Sequence, residues 1–165
     1  MPVREARPKE HDAIAGLMVA AYGEYASSLP EKAWVEYARE IADIASRVEI
    51  STLLVAEDAG RILGAVTYYA AGHGGGYHDS WPREWAGFRL LAVPPESRGR
   101  GIGKLLTQAC IDRARAEGAE ALALGTTELM KTARAMYERM GFTPVPEYDY
   151  YPVPEVRVYA YLMSL

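Results

Sequence analysis

The sequence predicts an α/β fold, a single domain over residues 1–165 with a twisted mixed sheet flanked by helices. Strand-like and helix-like segments are mixed along the chain, and the second half has the order strand, helix, strand, helix. The segment from Phe88 to Thr126 is long enough for a right-handed crossover between two parallel strands. Half of the 165 residues are apolar, which is enough to build a core.

The first half of the chain combines short strands with amphipathic helices. Pro8 is tolerated in the first turn of a helix, and apolar side chains recur at helical spacing in two segments. A turn at Asp58-Ala59-Gly60 separates two apolar segments, which predicts a hairpin. The predicted elements are strand 2–6, helix 8–25, helix 31–47 and strands 52–58 and 61–70.

The second half opens with a glycine-rich segment. Residues 71–85 contain Gly72 and the run from Gly74 to Gly76, which are too many glycines for a regular element. We predict a mobile loop with a turn of helix near residues 79–85, and such a long loop favours a lid that faces substrate. The other predicted elements are strand 88–93, helix 101–117, strand 121–126, helix 130–140 and strand 156–162.

Composition narrows the classes of function. The formal net charge is −4, so we expect no broad nucleic-acid-binding surface. No apolar run approaches the roughly 20 residues of a spanning helix, and polar residues 1–9 lack the apolar region of a signal peptide. We therefore expect no membrane partner and a cytoplasmic location. The single cysteine, Cys110, excludes a disulfide framework and falls in an amphipathic helix pattern, where we expect a small core residue.

One segment combines three features of an anion site. Its glycines allow a close approach of the backbone, they lead directly into a helix N-terminus, and three cations surround them. The glycines are Gly99, Gly101 and Gly103, and the cations are Arg98, Arg100 and Lys104. Two common phosphate motifs fail on spacing, because Leu105 follows Gly103-Lys104 and the third glycine of a dinucleotide fingerprint is missing. The segment predicts a pyrophosphate-binding loop.

These residues resemble the acyl-CoA-binding motif of the GNAT superfamily of N-acetyltransferases. The motif is Arg98-x-x-Gly101-x-Gly103, and it follows a strand that ends in Val93-Pro94. A second stretch, Ala-Arg-Ala-Met-Tyr-Glu-Arg-Met-Gly-Phe from Ala133 to Phe142, resembles the family's helix with a tyrosine before a Gly-Phe pair. The resemblance is strong from Phe88 to Phe142, and elsewhere it rests on element order.

The resemblance implies a GNAT-like fold, acetyl-CoA as the co-substrate and roles for individual residues. The backbone of Leu91, Ala92 and Val93 would bind the pantetheine arm in a gap between the two central strands. The pyrophosphate would be held by the segment Arg98, Gly99, Arg100, Gly101, Ile102, Gly103 and Lys104. Tyr137 would lie near the thioester sulfur and protonate the departing thiolate. A core tyrosine is the alternative for Tyr137, because it shares a helix face with Ala133, Met136 and Met140.

Two departures from the family pattern leave parts of the site open. Met130 stands where many relatives carry an asparagine, and the strand holds Gly87 and Arg89 where some carry a glutamate. The general base is therefore unassigned among water, Glu84, Glu147 and Asp149. The candidates for the acceptor pocket are Tyr22, Tyr25, Glu84, Glu147 and Asp149, and a surface loop is the preferred alternative for the segment that holds Glu147 and Asp149.

The resemblance predicts transfer of an acetyl group to the primary amine of a small molecule. Two alternatives stay open, an acyl-CoA-binding regulatory module without efficient catalysis and an acetyltransferase that acts on a protein amine. No metal is expected, because His73 and His78 have neither a cysteine nor a third histidine in support. A homodimer is a further expectation, since the tyrosine-rich last strand could pair across an interface.

Overall fold

The computed structural model describes residues 1–77 and 80–165. The chain forms two compact units. The first unit comprises Met1–Tyr68 and Leu90–Ala109, and the second comprises Tyr69–Arg89 and Cys110–Leu165. The strands follow the order β1-β2-β3-β4-β5-β8-β6, and β7 pairs with β8. Within the described strands the sheet is open and mostly antiparallel, with β4 and β5 parallel, so the predicted mixed α/β fold is confirmed.

The N-terminal elements lie close to their predicted positions. They are β1 Val3–Glu5, α1 His11–Tyr22, α2 Glu31–Ala42, α3 Ile44–Val48, β2 Thr52–Asp58 and β3 Arg61–Tyr69. The predicted helix 31–47 is wrong in one respect, because it is interrupted at Asp43. The Asp43 carboxylate accepts hydrogen bonds from the backbone N–H and the hydroxyl of Ser46, and it therefore caps a new helix.

The remaining elements include two short strands that the sequence did not predict. They are β4 Trp85–Ala92, α4 Ile102–Ala116, β5 Ala121–Thr126, α5 Lys131–Met140, β6 Thr143–Pro144, β7 Tyr150–Val153 and β8 Val156–Ser164. Proline occupies β6 and β7, which hid both strands from a pattern-based prediction. Strand β8, through which the homodimer was predicted to form, lies between β5 and β6 and also pairs with β7. Strands of the same chain therefore pair with it on both edges. The homodimer stays a prediction.

The glycine-rich segment packs against β4 in the second unit. Gly74 and Gly75 are buried, and a Cβ added at Gly87 would lie 2.5 Å from the carbonyl oxygen of Gly75. Backbone contact thus explains Gly75 and Gly87, and the mobility of the segment stays a prediction. Strand β4 also begins three residues earlier than predicted, at Trp85. His78 and Asp79 lie outside the described residues, as does part of the predicted helical turn.

Cys110 is fully buried, as the sequence predicted. Burial raises the pKa of its thiol far above the usual range, because a thiolate is poorly solvated in an apolar interior. None of the described helices has both the length and the apolar character needed to cross a membrane.

Candidate functional site

The predicted pyrophosphate loop folds as a tight turn that leads into α4. Residues Pro95–Ser97 form one turn of 3-10 helix, and the backbone N–H of Ser97 donates to Pro94 O at 2.9 Å. Gly99 and Gly101 follow with φ angles of 79° and 74°, which are left-handed values that favour glycine. A Cβ at either position would meet no atom within 4 Å. Backbone conformation therefore requires these glycines, and the space beside them is open.

Gly64 on β3 sets how closely α4 approaches the sheet. A Cβ there would lie 2.8 Å from Ile102 Cγ2 and 3.1 Å from both Leu106 Cδ1 and the carbonyl oxygen of Ala92. The first two turns of α4 can therefore rest directly on β3 because Gly64 has no side chain. Sequence reasoning missed this residue, since its partners are 28 to 42 positions away along the chain.

Arg98 joins the end of β4 to the segment after α1. Its Nε donates to the carbonyl oxygen of Val93 at 2.9 Å. Its two terminal nitrogens donate to the two carboxylate oxygens of Glu24, at 2.7 and 3.0 Å. This hydrogen-bonded pair lowers the pKa of Glu24 and raises that of Arg98. The guanidinium is thus used to hold the loop, and Glu24 is a residue that the sequence analysis did not single out.

The other two cations of the loop lie at the surface. Arg100 donates to Asp58 at 2.9 Å, in an ion pair whose side chains are about half exposed. Lys104 is exposed in the first helical turn. Positive charge therefore remains at the N-terminus of α4, where free backbone N–H groups also favour an anion.

The strand that precedes this loop contains a distorted residue. Leu90, buried in β4, has a φ of 56°, which is unusual for a residue with a side chain. The predicted arm-binding residues follow it: Leu91 and Val93 are half-buried, and Ala92 is buried. The carbonyl oxygen of Val93 accepts the hydrogen bond from Arg98, so one polar group of this strand end is already paired.

Tyr22 and Tyr25 lie together at the end of α1. Their ring centres are 6.1 Å apart, and Tyr22 is buried with its ring 5.9 Å from that of Tyr37. Tyr25 is half-buried, and burial together with the neighbouring Glu24 carboxylate raises its pKa to about 12. Tyr25 therefore stays protonated at neutral pH with its hydroxyl hydrogen-bonded to Glu24, and it is a poor general base.

Tyr137 is buried in an aromatic cluster of the second unit. Its ring packs edge-on against Phe88 and Phe142, at centroid distances of 5.8 and 5.9 Å. Helix α5 ends at Gly141, which has a φ of 104° and donates its N–H to the carbonyls of Glu138 and Tyr137. The Gly-Phe pair of the sequence motif thus ends the helix and turns Phe142 onto the tyrosine ring.

Strands β4 and β5 separate within the second unit. Their parallel register joins Trp85 with Ala121 and ends where Gly87 pairs with Ala123, although β5 continues to Thr126. On its other side β5 stays paired with β8 along its whole length. The gap for the pantetheine arm that the resemblance implied stays a prediction.

The candidate acceptor carboxylates have different surroundings. Asp149 receives hydrogen bonds from Arg157 and from the backbone N–H of Ala160, both at 2.7 Å, which gives it a structural role. Glu84 and Glu147 are exposed. The guanidinium of Arg89 lies 5.2 Å from the centre of the Tyr77 ring. Among the described residues no group of three histidine, cysteine or acidic side chains could hold a metal ion.

Comparison with known proteins gives matches in both sequence and structure. The model of the acetyltransferase (GNAT) family matches residues 13–142. The mycothiol acetyltransferase of Beutenbergia cavernae is 40% identical over 65 residues, which are 39% of this chain and 22% of that protein. The N-alpha-acetyltransferase 30 of Schizosaccharomyces pombe is 42% identical over 53 residues, or 32% of this chain and 35% of that protein. The chain thus spans about a quarter to a third of the length of the curated relatives it matches.

Solved structures resemble the chain over nearly its whole length. A GNAT acetyltransferase from Brucella melitensis in complex with acetyl-CoA has a TM-score of 0.65 at 23% identity, covering 99% of this chain and 87% of that one. An N-acetyltransferase from Thermoplasma acidophilum in complex with coenzyme A has a TM-score of 0.72 at 14% identity, covering 96% of each chain. At these identities the likeness shows a shared fold.

Proposed function

Because the chain belongs to the GNAT family of acetyltransferases, we propose that it transfers an acetyl group from acetyl-CoA to the primary amine of a small molecule. One observation carries this proposal. The loop before α4 places two left-handed glycines beside open space at a helix N-terminus, and cationic side chains surround it. This is the environment that a pyrophosphate requires.

The proposed binding of acetyl-CoA uses backbone groups more than side chains. The N–H groups from Gly99 to Lys104 hold the pyrophosphate, since the N–H of Arg98 already donates to the carbonyl oxygen of Pro95. Lys104 adds a charge at the first turn of the helix. The backbone of Leu91, Ala92 and Val93 binds the pantetheine arm. Arg98 contributes by holding the loop, since its guanidinium pairs with Val93 and Glu24.

The proposed chemistry is direct attack of a neutral amine on the thioester carbonyl. A thiolate leaves when the tetrahedral intermediate collapses, and the phenol of Tyr137 gives it a proton. The attacking nitrogen loses one proton to water, and a proton from water restores the phenol. The aromatic contacts of Tyr137 with Phe88 and Phe142 restrict its ring, which supports a fixed direction for its hydroxyl. General acid catalysis is typically worth about 10²–10⁴-fold in rate.

A small-molecule amine is the acceptor that we favour, and the mycothiol acetyltransferases among the relatives support it. A protein amine is the second candidate, because one relative is an N-alpha-acetyltransferase. Glu84 and Glu147 are the exposed carboxylates that could attract a cationic acceptor, whereas Asp149 is paired with Arg157. The phenol of Tyr25 is hydrogen-bonded to Glu24, and its oxygen can accept a hydrogen bond from the N–H of the acceptor amine.

The first experiment is calorimetric titration of the protein with acetyl-CoA. We expect binding by the wild type and none by Gly101→Glu or Gly103→Glu, because both changes add bulk and negative charge to the loop. Gly118→Glu is the matched control, since Gly118 also has a left-handed φ and open space beside it but lies beyond the other end of α4. Failure of the folded wild type to bind would reject acetyl-CoA as co-substrate.

The second experiment tests Tyr137 as the general acid. Tyr137→Phe keeps the ring contacts and removes only the hydroxyl, so turnover should fall by about 10²–10⁴-fold with little change in acetyl-CoA affinity. Release of free CoA thiol, followed with a panel of amines and peptides, measures turnover and also identifies the acceptor class. Unchanged turnover by Tyr137→Phe would show that Tyr137 is only a core residue.

A further inference from the structure

Helix α5 of the second unit is held by two tyrosines of strand β8. Tyr159 and Tyr161 are two residues apart on this strand, so their side chains point to the same face of the sheet. The hydroxyl of Tyr161 donates to Glu138 Oε1 at 2.7 Å and accepts from Arg134 Nε at 2.8 Å. The hydroxyl of Tyr159 donates to Glu128 Oε1 at 2.6 Å, shortly before the helix begins. One strand thus contacts the helix and the segment before it through three charged side chains.

Tyr161 is the more buried of the two tyrosines, and its hydroxyl both donates and accepts. Only 1% of its surface is exposed, so these hydrogen bonds are made in the interior. Burial, together with the hydrogen bond to Glu138, raises the pKa of Tyr161, and the hydroxyl therefore stays protonated at neutral pH. Its partner Arg134 is also held from a second side, because the guanidinium lies 4.4 Å from the centre of the Tyr159 ring.

The contacts of Tyr161 fix the rotation of α5 about its own axis. Arg134 and Glu138 are four residues apart, so they lie on the same side of the helix, where they also form an ion pair at 3.7 Å. Tyr137 directly precedes Glu138, and with about 100° of rotation per residue it points to an adjacent side. There its ring packs against Phe142. A rotation of the helix that turned Tyr137 would therefore also stretch the hydrogen bonds of Tyr161.

We propose that Tyr161 is a positioning residue for the reaction, which holds α5 so that the hydroxyl of Tyr137 can protonate the departing thiolate. This inference rests on the proposed function, in which Tyr137 is the general acid. The ring contacts of Tyr137 are apolar and allow small shifts, whereas the hydrogen bonds of Tyr161 are directional. Proton transfer requires hydrogen-bond distance, and a displacement of about 1 Å can lower a rate by about 100-fold.

The test combines Tyr161→Phe and Tyr137→Phe in a double-mutant cycle. Tyr161→Phe removes the hydroxyl and keeps the ring. We expect kcat to fall by about 3- to 10-fold with an unchanged KM for acetyl-CoA, because a contact made only in the transition state is misplaced. In the Tyr137→Phe background the same substitution should have no further effect, since no phenol is left to position. Release of CoA thiol is followed with the amine that the wild type acetylates fastest.

Substitutions of a partner and of a matched pair locate the effect. Glu138→Gln keeps an acceptor for the Tyr161 hydroxyl and should retain most of the wild-type kcat, whereas Glu138→Ala should resemble Tyr161→Phe. Arg113 and Glu117 form the same kind of pair, four residues apart, at the end of α4. Glu117→Gln should therefore leave kcat unchanged. All variants are assayed at a temperature at which thermal unfolding shows them to be folded.

The outcomes are distinct. An equal fall of kcat for Tyr161→Phe in both backgrounds shows a general effect on folding or on another step, and it overturns the proposal. Unchanged kcat for Tyr161→Phe, or full activity of Glu138→Ala, also overturns it. Unchanged turnover by Tyr137→Phe alone rejects the general acid, and the positioning role with it. Absence of turnover by the wild type with every amine and peptide of the panel instead rejects the proposed function itself.

Discussion

The chain has two glycine-rich segments that look alike in sequence and use glycine for different reasons. In Gly72–Gly76 of the second unit, glycine is needed partly because of crowding: Gly75 lies against the backbone of Gly87 and the side chain of Trp81. In Gly99–Gly103 of the first unit, Gly99 and Gly101 have left-handed backbone and nothing near the missing side chain. Open space beside a left-handed glycine is not specific by itself, since Gly72 and Gly118 have both. What distinguishes Gly99 and Gly101 is that they lead directly into the N-terminus of α4.

The largest expected effect is that of Gly87→Ala, which tests the packing half of this comparison. The added Cβ would lie 2.5 Å from the Gly75 carbonyl oxygen, and a backbone atom cannot move aside as the end of a flexible side chain can. Overpacking of this kind typically costs about 1–3 kcal/mol. We expect a marked fall in Tm and in the urea midpoint. A Tm equal to that of the wild type would show that the glycine segment moves away without cost.

The next effect is that of Gly64→Ala, a crowded glycine in the unit that carries the loop. The added methyl would contact Ile102 and Leu106 and push the first turns of α4 away from β3. We expect destabilisation of about 1–2 kcal/mol and weaker acetyl-CoA binding, because the helix N-terminus moves with it. Thermal unfolding and titration of one sample measure both. Weaker binding without loss of stability would contradict the packing explanation.

A smaller effect is expected for Gly101→Ala, which tests the ligand half of the comparison. The methyl has open space, but a left-handed backbone costs a residue with a side chain roughly 1–2 kcal/mol. Bound ligand holds the same backbone conformation, so we expect affinity to fall by up to about 10-fold while the fold is retained. Gly118→Ala, with the same backbone geometry, should lower stability equally and leave affinity unchanged.

The smallest effect is expected for Glu24→Gln, which loosens the loop without touching its glycines. Arg98 and Glu24 are each more than a third exposed, so solvent screens the pair and its contribution to stability is small. We expect acetyl-CoA affinity to fall by about 2- to 5-fold, since the loop is less well ordered. Asp58→Asn removes the partner of Arg100 and should have less effect. Glu24→Asp should recover part of the loss if the carboxylate positions Arg98.

The pH dependence of this pair has a definite sign. Arg98 lowers the pKa of Glu24 in the folded protein below its ordinary value. The stabilisation is therefore complete above the ordinary pKa of a glutamate, about 4.3, and is lost as the pH falls through the lowered value. Thermal unfolding between pH 7 and pH 3 should show a smaller acid-induced decrease in Tm for Glu24→Gln than for the wild type.

Most of the fold could be predicted from sequence because its signals are local. Apolar periodicity located β2, β3, β5 and α5 to within a residue or two, and Gly141 marked the end of a helix. The errors arose where a distant contact overrides local preference. Strand β4 was placed three residues late, because its first residues join the strand by pairing with Ala121–Ala123 of β5, which are distant along the chain.

The residues of the candidate site also fall into those that a local motif reveals and those that only the structure reveals. The pyrophosphate loop and Tyr137 were found because each is a short motif with characteristic spacing. Glu24 and Gly64 were missed because their significance lies in partners that are distant along the chain, which no spacing reveals. Asp149 was proposed for the acceptor site because the segment around it is acidic and aromatic. Its pairing with Arg157 became visible only in the structure.

The burial of Cys110 has a consequence for measuring how the protein moves. A single thiol with no exposed surface and a raised pKa reacts with an alkylating reagent only after the surrounding structure opens. The rate at which Cys110 is alkylated therefore reports on opening of the core around α4. No probe has to be introduced, and no second cysteine contributes to the signal. Labelling at several reagent concentrations separates an opening equilibrium from an opening rate. If acetyl-CoA is bound as proposed, adding it should lower the alkylation rate of Cys110 in the wild type and leave that rate unchanged in Gly101→Glu.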